Sequence, residues 1–385
     1  MTTQKQPMPA AQPSPIARPT GLQALARENA ALREEIAILR ASTSWRLTAP
    51  LRAIAARLRR TPDTAQNDGT AAHRPHRSAP GARPLETAGA YWDAQQAELA
   101  ARPPRTAWWT DPPTLRHVNR IVCGDPIDGP HAGFERRVAE RLAAQNLTAP
   151  KSLSVGCGDG AKERALLKHS IAGTFDCFEA GPGLVEAGRR AAAAEGLSDR
   201  IRFHHADAFA TVTAADYGLV HWNNALHHMP DTAAAIAWSR DRLQHGGLFA
   251  MDDYVGANRF QHSPAIMYTA NRMRGLLPDR LLRPHGDPNG HVHREIHLID
   301  PDALAAADPS EATDSANILP ALRQTFPNAE LIPTGGVFYF LGLVDAFHNF
   351  TSEDDLRLLD ALLLTDETLA RTGETLYAVG LAIRA

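Results

Sequence analysis

The sequence contains few cysteines, no long apolar run and almost no net charge. Its three cysteines among 385 residues cannot form a disulfide framework, so we expect a reducing, cytoplasmic setting. No run of about eighteen apolar residues occurs and the first residues lack the apolar core of a signal peptide, so neither a membrane-spanning helix nor a signal peptide is predicted. The net charge of −3 argues against a nucleic-acid partner.

Charge is unevenly distributed along the chain. Residues 1–60 hold ten lysines and arginines against three acidic residues, whereas the rest of the chain is acidic. A basic arm on an acidic body indicates that the arm meets an anionic or acidic partner. Residues 1–20, with five prolines, are predicted to be disordered.

Residues 21–42 show the heptad spacing of a short coiled coil. Leucines recur at the d positions, and the a positions carry one asparagine, which favours a parallel two-stranded coil. The core positions are Leu22, Leu25, Asn29, Leu32, Ile36 and Leu39. We therefore predict a parallel homodimer through residues 22–40. The alternative is a single amphipathic helix that lies on the body of the protein.

Residues 43–60 are predicted to form a basic amphipathic helix. Trp45 precedes an apolar face and four arginines, a composition that suits peripheral binding at the anionic inner face of the cell membrane. Docking on a partner enzyme is the alternative. Residues 61–86 lack an apolar period and are predicted to be a linker.

The region from residue 87 to residue 385 alternates short apolar strands with helices, which predicts an α/β domain with a largely parallel sheet. The predicted strands are 152–157, 174–178, 201–205, 217–222, 248–252, 329–333 and 376–384. Helices are predicted over 338–347 and 354–372. The cofactor core is placed at about 150–255, and residues 87–149 and 256–325 are expected to wall an acceptor pocket.

A candidate cofactor site follows the first three strands. Gly156, Gly158 and Gly160 come directly after the first strand, where they let a ligand approach the backbone closely. Glu179 ends the second strand and can accept hydrogen bonds from both ribose hydroxyls. Asp207, with the backbone amide of Ala208, can bind an adenine edge. An NAD(P) site is the main alternative, because it uses a similar turn.

Five segments in this order resemble the motifs of Rossmann-like S-adenosylmethionine-dependent methyltransferases. They are SVGCGDG, FEAGPGLVEAGRR, IRFHHADAF, YGLVHWNNALHHMPD and LQHGGLFAMDDY. The resemblance covers about residues 150–255 and implies S-adenosylmethionine as cofactor, an antiparallel last strand in a seven-stranded sheet, and Asn223 as a further cofactor-binding residue. Two departures are Ser154, where many relatives carry an acid, and Tyr217-Gly218, where relatives have an aromatic-Asp pair.

A narrower resemblance extends beyond this core. GCGDGAKER, DDYVGANRFQ, LPDRLLR and DPSEATDSANILP are similar to a bacterial branch often associated with cell-surface polysaccharide synthesis, and SWRLTAPLR resembles segments found beside polysaccharide glycosyltransferases. The resemblance implies that Ser310 and Glu311 lie close to the acceptor.

Candidate catalytic residues follow the fourth and fifth strands. Methyl transfer to a hydroxyl needs an aligned nucleophile and the removal of its proton. His228 is the preferred base and His227 the second candidate, because two adjacent histidines are not expected to point into one site. Asp252 and Asp253 are predicted to orient the acceptor or to bind a cation. Capping or packing roles are the alternatives for all four residues.

A histidine-rich series is the candidate for a metal site. His291, His293, Glu295 and His297 alternate, so a strand would place them on one face. A hydrogen-bonded or solvated edge is the simpler interpretation in a chain with 17 histidines, and we predict no bound metal.

The leading functional hypothesis is O-methylation of a bacterial surface glycan or of its lipid-linked or nucleotide-linked precursor. A methyltransferase for a small metabolite is the second hypothesis. The third is a catalytically weak, cofactor-binding scaffold in a polysaccharide assembly complex, which contacts its partners through the N-terminal arm.

Overall fold

The computed structural model describes residues 106–287 and 289–385. The disordered segment, coiled coil, basic helix and linker predicted over residues 1–86 lie outside these ranges. Within them, no helix combines the length and the apolar character that crossing a bilayer requires.

A seven-stranded sheet in the order β3-β2-β1-β4-β5-β7-β6 forms the centre of the described residues. Its strands are β1 (Lys151–Val155), β2 (Thr174–Glu179), β3 (Ile201–His205), β4 (Tyr217–Asn223), β5 (Leu243–Tyr254), β6 (Glu330–Gly335) and β7 (Tyr377–Ile383). All run parallel except β7, which lies antiparallel between β5 and β6. The predicted Rossmann-like methyltransferase sheet with helical additions, including its antiparallel last strand, is confirmed.

Helices cover both faces of the sheet and extend beyond its β5–β7 side. They are α1 (Pro112–Cys123), α2 (Ala132–Ala144), α3 (Ala161–Lys168), α4 (Pro182–Ala194), α5 (Ala208–Thr211), α6 (Thr232–Arg242), α7 (Pro264–Leu276), α8 (Pro301–Ala307), α9 (Ile318–Thr325) and α10 (Glu353–Arg371). Several begin with a side-chain cap: Asp231 accepts from the N–H of Ala234 at the start of α6.

Alternating residues of the strands supply two apolar layers. Leu219 and Ala250 pack on one side of the sheet with Phe134 of α2. Val220 and Phe249 pack on the other side with helices α6 and α9. Because both faces are covered, the carboxyl ends of the parallel strands are left as the edge where a ligand can bind.

Two predicted elements differ in the structure. β5 begins at Leu243, which pairs with Tyr217, so the predicted start at residue 248 is too late. The predicted helix 338–347 is replaced by a π-helical turn, Val337–Gly342. Arg274 of α7 explains where this turn ends, because its guanidinium donates to the carbonyls of Gly342 and Val344.

The histidine-rich series does not form the strand that would place its side chains on one face. Residues 291–300 have no regular secondary structure. Side chains of α7 satisfy the backbone instead: Arg274 donates to the carbonyl of His293, and Asn271 exchanges two hydrogen bonds with the backbone of Ile296. His291 is exposed, so the four side chains do not converge on a metal site.

Candidate functional site

A glycine loop joins β1 to α3 at the carboxyl edge of the sheet. Gly156, Gly158 and Gly160 have φ values of 66°, 60° and 71°. A Cβ on Gly156 would lie 2.9 Å from the Cβ of Ala225, whereas one on Gly158 would meet no described atom within 4 Å. Gly156 therefore allows packing against the segment after β4, and Gly158 leaves room for a ligand to approach the backbone.

The carboxylate of Glu179 holds this loop from the end of β2. Its Oε2 accepts from the N–H of Gly158 at 2.8 Å, and its Oε1 accepts from the N–H of Gly181 at 2.9 Å. A carboxylate has about four acceptor positions, so the side chain can take ribose hydroxyls while it still holds the loop. The geometry is compatible with the predicted ribose role.

The other predicted cofactor residues lie along the same edge. Asp207 is exposed and caps α5, because its Oδ1 accepts from the N–H of Phe209 at 2.8 Å. Ala208, the first residue of α5, is buried. Asn223 is the buried last residue of β4. The structure thus brings the glycines, Glu179, Asp207, Ala208 and Asn223 to one edge of the sheet.

A buried acid of α3, Glu163, lies beside Ser154 of β1. Ser154 donates to Glu163 Oε1 at 2.8 Å, and the Nδ1 of His221 lies 3.0 Å from the same oxygen. Burial disfavours the charge on Glu163, but His221 and Lys162 outweigh burial and hold its pKa below the ordinary value. Sequence analysis missed Glu163 because its contact with Ser154 crosses from a helix to a strand. The signal that the sequence offers for Glu163 is its position three residues after Gly160.

Lys162 is a second residue that sequence analysis missed. Its Nζ donates to the backbone carbonyl of Asn223 at 2.6 Å, which links α3 to the end of β4. Burial lowers the pKa of Lys162, while the charges of Glu163 and Asp252 oppose that shift. A cation is thereby placed between the glycine loop and the end of β4.

His227 and His228 face a common space after β4. Both lie in one 3-10 turn, Leu226–His228, and their ring centroids are 4.0 Å apart. The expectation that adjacent histidines cannot share a site is wrong here. Different partners fix the two rings: Asp253 lies 2.5 Å from Nδ1 of His227, and the hydroxyl of Ser310 lies 3.2 Å from Nδ1 of His228.

The buried Asp253 carboxylate organises this turn. Its Oδ2 accepts from the N–H groups of Ala225 and Leu226 at 3.0 and 2.8 Å. Burial alone would lower the pKa of His227, but Asp253 and Glu311 outweigh burial and raise it to about 10. Burial, together with the charge on His227, lowers the pKa of His228 to about 4.

A loop over residues 308–312 completes the cluster. Glu311 Oε1 lies 3.4 Å from Nε2 of His227, and the hydroxyl of Ser310 donates to Asp308 at 2.7 Å. One ring nitrogen from each histidine and one Glu311 oxygen all lie within 4.8 Å of one another, close enough to bind one metal ion. We call His227, His228 and Glu311 the His-His-Glu cluster.

Arg259 fixes the loop that carries Glu311. Its Nη1 donates to the carbonyls of Asp308 and Glu311 at 3.0 and 2.8 Å, and its Nη2 donates to the carbonyl of Pro309 at 2.6 Å. The backbone N–H of Arg259 also donates to the carbonyl of Ala312. Nothing local in the sequence indicates these long-range contacts of Arg259.

Asp252 and Asp253 do not form the predicted pair. Successive residues of a strand face opposite sides, so Asp253 reaches the His-His-Glu cluster whereas Asp252 reaches the layer of α1 and α2. There Asp252 Oδ2 lies 2.8 Å from Nδ1 of His131. Asp252 and His131 line a small aromatic recess together with Trp108 and Tyr377.

Residues 153–247 match the family model described as a methyltransferase domain. This part of the chain, about a quarter of its length, is similar to methyltransferase domains. The match includes the glycine loop, Glu179 and both histidines, and it ends before Asp253 and Glu311. It supports the predicted cofactor, S-adenosylmethionine, and not the NAD(P) alternative.

Individual relatives are distant. The ubiquinone biosynthesis O-methyltransferase of Psychrobacter arcticus is 25% identical over 146 residues, which cover 37% of this chain. Those residues are 56% of that protein, so the chain spans little more than half the length of this curated relative.

Solved methyltransferases with a similar fold share little sequence with the chain. The geranyl diphosphate C-methyltransferase from Streptomyces coelicolor A3(2) is 14% identical, over 80% of this chain and 100% of that one, with a TM-score of 0.42. A geranyl diphosphate methyltransferase solved with GPP and sinefungin is 12% identical, over 78% and 99% of the two chains, with a TM-score of 0.45.

Proposed function

We propose that the protein is an S-adenosylmethionine-dependent O-methyltransferase that acts on a hydroxyl of a bacterial surface glycan or its precursor. The observation that carries this proposal is the position of the His-His-Glu cluster. The cluster begins two residues after Ala225, the residue against which Gly156 of the cofactor loop packs. A methyl donor bound at the glycine loop would therefore lie beside the imidazoles and the carboxylate of this cluster.

The chemistry explains why such a cluster favours oxygen as the methylated atom. In the transfer, the acceptor oxygen bonds to the methyl carbon, the carbon–sulfur bond breaks, and sulfur keeps the electron pair. A sugar hydroxyl must also lose its proton, whereas a neutral amine can attack through its lone pair. Imidazole and carboxylate groups supply the polar atoms that this additional requirement needs. The relative from Psychrobacter, named as an O-methyltransferase, supports the same atom.

The support for a sugar-containing acceptor comes from the sequence. The segments that flank the cofactor core resemble a polysaccharide-associated branch of methyltransferases.

A small metabolite is the second candidate acceptor. The curated relative is named for ubiquinone biosynthesis, which favours this candidate. The proposed membrane contact of residues 44–60 and the proposed homodimer through residues 22–40 favour the glycan, because a cytoplasmic enzyme at the inner face of the membrane would meet lipid-linked precursors.

Transfer of a labelled methyl group separates these candidates. The full-length protein is incubated with S-adenosylmethionine carrying a labelled methyl group and with either cell-envelope extract or the small-molecule fraction of the same cells. We expect label in the envelope fraction, and a matched Glu179→Ala variant should transfer little. Label in small molecules alone would favour the metabolite, and cofactor binding without transfer to either fraction would favour the scaffold hypothesis.

A further inference from the structure

We propose that the His-His-Glu cluster binds one divalent first-row transition-metal ion, and that the acceptor hydroxyl completes its coordination. This proposal differs from the prediction made from the sequence, which was that no metal is bound. The role of the acceptor rests on the proposed function, whereas binding of the ion does not.

The ligand atoms have the spacing that a shared ion requires. One nitrogen of His227, one nitrogen of His228 and one oxygen of Glu311 lie within 4.8 Å of one another. Ligands about 2.0–2.2 Å from one ion are separated by less than about 4.5 Å, so small side-chain movements bring the three atoms into coordination. Two histidines and one carboxylate leave further coordination positions open for an exogenous oxygen.

Both histidines also have the supporting contacts of metal ligands. A metal-bound histidine commonly uses its second nitrogen to contact a carboxylate or another fixed polar group. Asp253 lies at Nδ1 of His227, and Ser310 lies at Nδ1 of His228. Ser310 in turn donates to Asp308, so each imidazole is backed by a carboxylate, one directly and one through a hydroxyl. These contacts orient both rings before an ion arrives.

Charge around the cluster is unbalanced. Asp253 of β5 is fully buried, Asp308 is 4% exposed, and the side chain of Glu311 is 21% exposed. Within the described residues, no lysine or arginine forms an ion pair with any of these three carboxylates. Arg259 contacts backbone carbonyls of the loop, so the ion-pair partner of Asp253 and Glu311 is His227 alone among the described residues, one imidazole for two carboxylates. Three buried or half-buried acids around two imidazoles favour an added cation.

The donor set indicates the class of ion. Imidazole nitrogen suits zinc, iron, cobalt and nickel, whereas magnesium prefers an all-oxygen shell. An ion of this class polarises a bound hydroxyl and lowers its pKa, which eases proton loss to solvent as the methyl carbon bonds to oxygen. His227 and His228 would then act as ligands, and neither would be the base.

Metal titration tests the site without reference to activity. The full-length protein, with any affinity tag removed, is stripped with a chelator and dialysed. It is then titrated with Zn²⁺ by calorimetry and with Co²⁺ by visible absorption. We expect one ion per chain, and binding at least about tenfold weaker in Glu311→Gln. Ser310→Ala, which lies one contact further out and should fold normally, is expected to weaken binding less.

A matched control removes histidines elsewhere. His291 and His293 lie with ring centroids 5.1 Å apart on an exposed segment, so a His291→Ala/His293→Ala variant tests adventitious binding. We expect it to bind the ion as the wild type does. The proposal fails if no ion binds at one per chain, or if the control loses binding and Glu311→Gln keeps it.

Methyl transfer then tests the acceptor part separately. Chelation should abolish transfer while calorimetric affinity for the cofactor is retained, and added ion should restore it. Full transfer by ion-free protein would overturn the role of the ion in holding the acceptor. An ion bound at the cluster without transfer to any acceptor would leave the metal site in place and would overturn the proposed function.

Discussion

The cofactor side and the acceptor side of this domain are built in different ways. On the cofactor side, each candidate binding residue lies at or just after the end of a strand: Glu179 is the last residue of β2, and Asp207 comes two residues after β3. On the acceptor side, Glu311 meets His227 across 84 residues of sequence, and the loop that carries it is held by Arg259. Local motifs thus position the candidate cofactor residues, whereas long-range packing assembles the His-His-Glu cluster.

The strongest test of whether the two sides act separately is to disable one side alone. His228→Ala removes one imidazole of the His-His-Glu cluster and should lower the rate of methyl transfer by about 10²–10⁴-fold. Cofactor affinity should stay near that of the wild type, because Glu179 and the glycine loop are untouched. Single-turnover transfer and calorimetry measure the two properties. If this variant keeps the full rate of methyl transfer and Asp253→Asn loses it, the central role in the transfer belongs to β5.

The reciprocal change disables the cofactor side. Glu179→Ala removes ribose hydrogen bonds as well as the acceptor for the N–H of Gly158, and should weaken cofactor binding by about 2–4 kcal/mol. Asp207→Ala should cost about 1–2 kcal/mol, because Asp207 is exposed. Titration with S-adenosylhomocysteine measures both. Unchanged affinity in the Glu179 variant would show that the residue serves only the loop.

A third test concerns the walls of the acceptor side. Asp366 accepts from the N–H groups of Gly336 and Tyr339, and burial raises its pKa to about 6 from 3.8. The folded state therefore holds its proton more tightly, so the stability contribution of Asp366 falls as pH rises from about 4 to 6. The loss is about 3 kcal/mol.

Asp366→Asn provides the comparison for that pH dependence. The asparagine cannot ionise, so the free energy of unfolding of the variant should lack this fall. Urea unfolding at several pH values measures the difference. Parallel pH profiles for the two proteins would contradict the prediction.

A smaller effect is expected from the residue that positions the loop. Arg259→Lys keeps the charge, but one ammonium cannot donate to three carbonyls in the fixed geometry of a guanidinium. We expect the KM for the acceptor to rise about tenfold, with cofactor affinity and melting temperature close to wild type. Steady-state kinetics with varied acceptor measures this change. A loss of cofactor affinity would show instead that the two sides are coupled.

Removal of the N-terminal arm should have the smallest effect on cofactor affinity. Deletion of residues 1–86 should leave cofactor affinity unchanged, while the molecular mass in solution and flotation with anionic liposomes both fall. Leu32→Pro should break the predicted coiled coil and weaken flotation although the basic segment is retained. Light scattering and flotation test both proteins. Equal masses, with no flotation by any of them, would refute the coiled coil and the membrane contact.

Sequence patterns predicted where the candidate cofactor residues lie on the sheet because their signals are local. The strand ends, the glycines and Glu179 follow from short apolar runs and the residues after them. The π-helical turn at Val337–Gly342 was not predictable, since it depends on Arg274 and Asp366 from distant helices. The proximity of Ser310 and Glu311 to the acceptor was implied only by the resemblance, and no periodicity in the sequence indicates that Glu311 meets His227 and His228.

The clamp of Arg259 on the loop 308–312 has a consequence for how the acceptor can change during evolution. The guanidinium contacts only main-chain carbonyls, so it fixes the path of the loop whatever side chains the loop carries. Side chains such as Pro309 can be exchanged while Glu311 keeps its place. New acceptor preferences could therefore arise by substitution within this loop, provided that Arg259 is kept, and directed evolution of specificity should begin there.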